Sequence, residues 1–211
     1  MYVDMHVHSN YSDGSASLFS LIETAESKGL EVLGIVDHGE FHICGMRWED
    51  ARKRNEKIKM YNESHDVRIL SGIELDIDIS GGVQRVMENF DIIYGAIHES
   101  CTGEEYASAV KRAIREGNLD VIAHYGWLAS DDVYDEEIVE LMKEYGVAVE
   151  INSLHQLPSD KFLRKCADLG IPYTIGSDAH SLENVGNVEW AMKKAKQFFD
   201  EESLWLPEQK I

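Results

Sequence analysis

Seven short β-rich runs alternate with helical patterns along the 211 residues, and this order constrains the chain more than any other feature. The β-rich runs lie at about 2–8, 31–37, 67–76, 91–98, 119–124, 147–152 and 172–177. Helical periodicity fills the gaps near 17–28, 46–64, 104–116, 134–146, 159–169 and 183–199. Only the link "SGGVQRVMEN", between the third and fourth strands, is too short for more than a turn or a short helix. Ser17, Asp135 and Ser159 stand where N-caps belong, and Gly29, Gly117, Gly146 and Gly170 follow helical runs, where a left-handed C-cap favours glycine. Strands separated by helices pair in parallel through right-handed crossovers. Runs such as "VLGIV" and "DVIA" have the continuous apolar character of strands covered on both faces. No linker or shift in composition divides the chain, so residues 1–211 read as one α/β domain with a barrel of parallel strands. An open doubly wound sheet is the alternative. It normally carries a glycine-rich phosphate loop after its first strand, and neither GxGxxG nor GxxxxGK[ST] occurs; the lone "SGG" at 80–82 is no substitute.

The first strand raises the chemical question. Side chains two apart share a face, so Tyr2, Asp4, His6 and His8 point one way and Val3, Met5 and Val7 the other. A face that gathers a carboxylate and two imidazoles is costly to bury unless something pairs with them, and a metal ion is the commonest partner for two close imidazoles. The same residue types recur along the chain. Asp13 follows in the first loop, His38 ends the second run, Glu74 lies on the third, His98 and His124 end the fourth and fifth, and Asp178 and His180 follow the seventh. In a parallel barrel every strand's C-terminal end opens on one face, so these residues meet in one cavity. Nine imidazole and carboxylate donors suffice for two or three metal ions, with positions left for water and substrate. Ligation by nitrogen and oxygen without sulfur suits Zn, Mn or Fe, and Glu74, with two oxygens, is the natural bridge.

The motifs "DMHVHSNYSDG", "GIVDHG", "GIELD", "AIHES", "IAHYG", "VEINS" and "GSDAH" resemble, in order and spacing, those of the PHP (polymerase and histidinol phosphatase) superfamily, from Asp4 to about residue 185. The resemblance implies a distorted (β/α)7 TIM-like barrel with a trinuclear metal site at the strand C-terminal ends. It assigns His6, His8, Glu74 and Asp178 to one ion, Glu74, His98 and His124 to a second, and Asp13, His38 and His180 to a third. Glu74, Asp178 and His180 are read as the catalytic members of the set. Where some relatives have a histidine in the "YSDG" loop, this chain offers Asp13. The implied activity is a metal-dependent phosphoesterase that hydrolyses a small phosphate monoester by attack of a metal-bound hydroxide. Histidinol phosphate is the first candidate substrate, and a nucleotide or short oligonucleotide phosphoester the second. One departure bears on this: histidinol phosphatases carry arginine in the loop after "EIN", whereas this chain reads "SLHQLPSDKF", with His155 and then Lys161 and Arg164.

Other residues carry further expectations. Asp4 shares the face of His6, where it either orients that imidazole or packs in the core. Asn152 faces the cavity from the sixth strand, with Glu150 on the same face, and Asn152, His155 and Arg47 are the expected substrate contacts; arginine suits phosphate. His42 sits in a loop on the same side, where a histidine either meets substrate or faces solvent. His65 lies at a helix end far from any motif. Glu49 with Lys53, and Asp50 with Arg54, stand four apart, which reads as a solvated helix face. Two other readings stand as alternatives, each with particular residues against it. A metal-dependent amidohydrolase often bridges its ions with a carboxylated lysine, and no lysine stands at a strand end; a non-catalytic metal-bound module tends to lose ligands, and all nine are present. No GxSxG elbow and no cysteine nucleophile motif offers a covalent route.

Charge and cysteine usage bound the partners. Lys and Arg number 20 against 39 Asp and Glu, a formal charge of −19 that repels long polyanions and leaves a small phosphorylated substrate as the expected partner. No run approaches the ~20 apolar residues of a membrane span, and the N-terminus lacks a signal pattern. Cys44, Cys101 and Cys166 form no CxxC pair and suit a reducing compartment, so a cytoplasmic location is expected. Monomer and homo-oligomer both remain open, because the tail "FFDEESLWLPEQKI" with Trp205 can dock on its own barrel or on a neighbour.

Overall fold

The computed structural model describes residues 1–80, 82–131 and 133–207, so Gly81 of the "SGG" run and the last four residues of the tail lie outside the described residues. Seven strands, β1 (Val3–Val7), β2 (Val32–His38), β3 (Arg68–Asp76), β4 (Ile92–Ala96), β5 (Val121–Ile122), β6 (Ala148–Asn152) and β7 (Tyr173–Gly176), form one sheet in sequence order. Every neighbouring pair is parallel. The sheet curls until the first strand meets the chain beyond the last. Asp178 N donates to His6 O at 2.8 Å and His8 N to Ala179 O at 2.9 Å, with Val7 and Ala179 paired in parallel. The result is a nearly closed barrel, and the closing contacts are made by the very residues that carry the histidines and Asp178.

Six helices, α1 (Leu18–Ser27), α2 (Trp48–Asn62), α3 (Gly103–Glu116), α4 (Glu136–Tyr145), α5 (Asp160–Leu169) and α6 (Glu189–Phe198), cover the outside. The expected caps form: Ser17 accepts from Ser20 N, Asp135 from Glu137 N and Ser159 from Phe162 N. Thr102 and Glu105 complete a reciprocal capping box on α3, whose stripe of Tyr106, Ala109, Val110, Ala113 and Ile114 is buried. Each large apolar side chain so covered contributes about 1.5–3 kcal/mol. At the strands' N-terminal end, Trp205 N donates to Tyr173 O at 2.8 Å and Arg68 Nη2 to Pro207 O at 2.7 Å, so the tail through Pro207 crosses the bottom of its own barrel.

Several boundaries differ from the sequence expectation for local reasons. The sixth helix begins at Glu189, because residues 183–188 form a turn tied down by Gly186 N to Asp4 Oδ2 (2.7 Å), Tyr2 OH to Gly186 O (2.8 Å) and Lys28 Nζ to Val185 O (2.6 Å). Among its described residues the link after β3 holds no helix; Ile77 bridges Val83 and Asp78 N donates to Gly82 O. Gly146 and Gly170 close their helices in the left-handed region, and Gly29, one residue beyond the Lys28 cap, is left-handed too. Gly117 does not: its φ is −87°, and a Cβ there would stand 2.5 Å from Ala113 O.

The largest correction concerns α2. Lys53 does pair with Glu49 (3.1 Å) and Asp50 (3.3 Å), but Arg54 turns inward, fully buried, to Asp37 Oδ2 at 2.5 Å and Gly72 O at 2.5 Å. The i,i+4 spacing with Asp50 concealed this partner, which lies on another element. Asp37 also accepts from Ser9 N (2.7 Å), Ser9 Oγ and Ser12 Oγ (2.9 Å), and Arg54 holds its carboxyl below the usual range against the opposing effect of burial. Removing one member of a buried pair strands the other, so Asp37→Ala should cost about 3–5 kcal/mol in chemical denaturation. Arg52→Ala, which breaks an exposed pair with Glu88, should leave the denaturation midpoint unmoved.

Candidate metal centre

Glu74 on β3 is the centre of the site. Its Oε2 lies 3.0 Å from His38 Nδ1 and 3.7 Å from both His6 Nε2 and His8 Nε2, and its Oε1 lies 3.0 Å from His124 Nε2 and 3.6 Å from His98 Nε2. Asp178 Oδ1 approaches His8 Nε2 at 3.3 Å and His6 Nε2 at 4.0 Å. On the far side Asp13 Oδ2 lies 3.4 Å from His38 Nε2 and 3.3 Å from His180 Nε2, while Asp13 Oδ1 lies 3.4 Å from His8 Nδ1. Contacts of 4.0 Å or less thus link all nine residues singled out in the sequence.

These donors fall into groups that could each hold an ion: His6, His8 and Glu74; Glu74, His98 and His124; and Asp13, His38 and His180 with His8. Asp178 joins the first group through His8 and His6. Donors sharing one ion at ~2.0–2.2 Å in tetrahedral geometry stand ~3.3–3.6 Å apart, close to the separations seen here. His8 Nδ1 and His38 Nδ1 carry the same message, since each is buried beside a carboxylate oxygen yet makes no hydrogen bond to it. His124 Nε2, by contrast, is hydrogen-bonded to Glu74 Oε1 at 3.0 Å.

The backbone is bent to aim the ligands. β5 ends at Ile122, earlier than expected, because His124 adopts φ +25° and leaves the strand to turn its ring inward. Its N–H is caught by Glu150 Oε2 at 2.8 Å. Asp178 also has a positive φ, +55°, held by its N–H to His6 O. Such conformations cost about 1–3 kcal/mol each and persist only where surroundings enforce them.

An outer ring of acceptors fixes the imidazoles. Glu150 Oε1 binds His6 Nδ1 at 2.6 Å, leaving Nε2 toward Glu74, and Asp76 Oδ1 does the same for His98 Nδ1 at 2.7 Å. Gly176 makes room for the first of these contacts: a Cβ there would lie 2.4 Å from Glu150 Oε1 and 2.6 Å from His6 Cβ. Asp4 does not orient His6. It accepts from Ser177 N, Ser177 Oγ and Gly186 N, so it ties the barrel's closing turn, and Glu150 orients His6 instead. Asp76 and Trp127 were not picked out from the sequence. Asp76 stands two residues after Glu74 on the same strand, a signal that was available. Trp127, whose ring meets those of His98, His124 and His155, follows an irregular turn that no periodicity marks.

Of the expected substrate contacts, two lie in the site. Asn152 is buried and donates to Glu150 Oε2 (3.1 Å) and Asp178 Oδ2 (3.2 Å), and His155 Nε2 is 3.4 Å from Asp178 Oδ2. Arg47 precedes α2, exposed, and its side chain makes no hydrogen bond or ion pair among the described residues. His65 pairs with Glu26 at 3.0 Å, away from the barrel mouth.

Charge is shared out sharply. Burial disfavours the imidazolium of His6, but Glu150, Asp178 and Glu74 prevail and hold it well above its ordinary value. Burial likewise opposes His38 and His98, yet Glu74 with Asp13 raises the one to about 9, and Glu74 with Asp76 the other to about 10. His8 moves the other way, pushed down by burial and by His6 and His38. Glu74 is held well below the carboxylate range, its burial outweighed by His98, His6 and His38. Protons therefore supply the counter-charge in the metal-free site.

A model of the PHP domain family matches residues 4–154. The chain is 27% identical over 214 residues to the DNA polymerase/3'-5' exonuclease PolX of Bacillus subtilis, covering 94% of this chain and 37% of that protein, so it spans little more than a third of that relative's length. It is 28% identical over 219 residues to a probable phosphatase of Caldanaerobacter subterraneus subsp. tengcongensis, covering 92% of this chain and 82% of that one. The crystal structure of histidinol phosphate phosphatase from Lactococcus lactis, complexed with zinc, L-histidinol and phosphate, superposes with a TM-score of 0.73 at 17% identity, covering 98% and 97% of the two chains. That likeness is one of fold.

Two outcomes follow from this geometry. Glu74→Gln should lose about one metal ion per chain by elemental analysis, more than any single terminal ligand, because a neutral amide leaves two cations without their shared counter-charge. Loading the metal-free chain near neutral pH should release at least about three protons, from His6, His38 and His98, measurable by calorimetry in buffers of different ionisation enthalpy.

Proposed function

The chain belongs to the PHP domain family, and from that premise we propose that it is a metal-dependent phosphoesterase acting on a small phosphate monoester. The observation that carries the reading is the buried Glu74 carboxylate, with its two oxygens directed at different sets of imidazoles. His6, His8, Glu74 and Asp178 would hold one ion, Glu74, His98 and His124 a second, and Asp13, His38 and His180 a third, with Zn, Mn or Fe suited to these donors. Divalent cations held there supply the counter-charge and Lewis acidity that activate water and neutralise phosphoryl oxygens at neutral pH.

The chain's own side chains do the positioning. Glu150 and Asp76 fix the His6 and His98 rings, and Asn152 anchors Asp178 Oδ2 so that Oδ1 faces His8. Trp127 walls the site beside His98 and His124. Asn152, although fully buried, His155 and the exposed Arg47 are the proposed substrate contacts. Glu74, Asp178 and His180 remain the proposed catalytic ligands. Cys101 and Cys166 are no rival nucleophiles, since burial raises both thiols.

Support for a small substrate is electrostatic. Among the loops that follow the strands' C-terminal ends, Arg47 and Arg85 are the only Lys or Arg residues, and the chain's formal charge is −19. Each further phosphate of a polymer would meet repulsion without a basic track to offset it. Histidinol phosphate is the first candidate because the fold is shared with the Lactococcus lactis enzyme; nucleotide phosphoesters come second because of the PolX relative. Among the described residues no helix is long and apolar enough to cross a membrane. We propose a cytoplasmic location, with residues 1–211 as a single domain.

The test is kcat/KM for p-nitrophenyl phosphate, histidinol phosphate, a mononucleotide and a single strand of about 20 nucleotides, at two salt concentrations. The monoesters should exceed the polymer by at least about tenfold, with the gap widest at low salt, where screening is weakest. Faster cleavage of the polymer, weakened by added salt, would overturn the small-substrate reading in favour of a nucleic-acid phosphoesterase.

A further inference from the structure

The loop between β2 and α2, "GEFHICGMR", is folded back on itself rather than left in solvent. Gly39 N donates to Glu74 O at 2.8 Å, Met46 N to His38 O at 2.9 Å, His42 N to Gly39 O at 3.0 Å and Gly45 N to His42 O at 2.9 Å. The return is so tight that a Cβ on Gly45 would stand 1.8 Å from Gly39 O, so only glycine lets the loop close. Both ends of the loop are thereby fixed to strands that carry ligands.

This loop lays the half-buried His42 ring on the ring of His38, with centroids 3.7 Å apart and planes 20° apart, and edge-on to His98 at 5.3 Å. A ring nitrogen of each of the three histidines lies within 4.8 Å of the others, which by distance alone makes His42 a tenth ligand. The hydrogen bonding argues against that. Cys44 N donates to His42 Nδ1 at 3.3 Å. With its Nδ1 lone pair so engaged, the neutral ring carries its proton on Nε2, which is then a donor and not a ligand. Nε2 has no hydrogen-bond partner among the described residues, and the ring lines a cavity of about 370 Å³ together with Phe41, His98 and three acids, Asp76, Asp78 and Glu99, each already engaged, by His98 Nδ1, Ser80 N and Ile79 N in turn. That volume is in the ~300–1,000 Å³ range of small-molecule sites.

We propose that His42 is a catalytic residue of this centre, its Nε2–H donating to a phosphoryl oxygen of the bound ester, and that it does not hold metal. The inference rests on the phosphoesterase reading above and adds the group that contacts the phosphate from the protein side. It also accounts for the scarcity of cations around the mouth, since a fixed neutral donor recognises a phosphoryl oxygen without adding charge to a site already rich in cations. A donor placed where charge develops on a phosphoryl oxygen acts more strongly in the transition state than in the ground state.

The experiment compares the full-length, metal-loaded wild type with His42→Ala and His42→Gln by three readouts: metal per chain, Kd for inorganic phosphate by calorimetry, and kcat/KM for p-nitrophenyl phosphate. In His42→Ala the metal content should stay at the wild-type value, phosphate binding should weaken about tenfold, and kcat/KM should fall about 10²–10³-fold. His42→Gln, whose amide can donate from a similar position, should recover much of both losses. Loss of one ion per chain in His42→Ala would make the ring a ligand and overturn the proposal. So would a phosphate Kd unchanged within about twofold, or a wild type that binds no phosphate. A wild type that binds phosphate through His42 but turns over no monoester would keep His42 as the phosphate donor, and would overturn both its catalytic role and the phosphoesterase reading. Turnover with phosphate binding indifferent to His42 would overturn the inference and keep the phosphoesterase reading.

Discussion

One buried carboxylate with ring nitrogens of five histidines within 4.0 Å of it is the constraint on which the rest of this structure depends. Glu74 is 1% exposed, and a charge so far from water is tolerated only if compensated at close range. The compensation arrives from β1, β2 and the chain beyond β4 and β5, which fixes how those strands must lie around β3. Without cations the compensation falls to protons on His6, His38 and His98, the last two holding theirs up to about 9 and 10. Their stabilising charge is fully present in the metal-free protein below the ordinary imidazole value, and it fades as pH rises through those folded-state values. Protons and metal ions therefore compete for the same lone pairs.

Around this centre the protein spends its other buried charges on geometry. Glu150 holds His6 through one oxygen and the His124 backbone through the other, and so links the first, fifth and sixth strands with a single side chain. Asp37, on the helix-facing side of β2, binds Arg54 together with Ser9 and Ser12, and so anchors the loop that presents Asp13 to His38 and His180. Asp4 ties the turn after β7 to β1, the place where the barrel closes. Each of these carboxylates is fully buried, and each stands one step behind a metal-site residue rather than in the cavity.

The parallel order of strands was legible in the sequence because strand-to-helix alternation leaves few other topologies, and the nine converging residues were legible because each sits at or near a strand's C-terminal end. What escaped were pairings between elements distant in sequence. Arg54 has an acid four residues earlier, so local spacing pointed to solvent, while its real partner is on β2. Asp4 and Glu150 both lie on barrel-lining strands among histidines, and periodicity cannot say which of them reaches His6. His42 lay in a glycine-bounded loop that sequence left between substrate and solvent, and only the fold-back from Gly39 to Met46 brings it onto His38. The early end of β5 belongs to the same class, since a positive φ at a non-glycine residue is imposed by tertiary contacts and leaves no trace in local propensity.

The most direct test of the central claim is anomalous diffraction from crystals of the metal-loaded protein at the absorption edge of the bound element. The account predicts at least two peaks flanking Glu74, each within ~2.0–2.3 Å of a different one of its oxygens, the Oε1 side shared with His98 and His124. Peaks confined to the surface, or a Glu74 carboxylate bonded only to protonated imidazoles with no anomalous density beside it, would contradict the account.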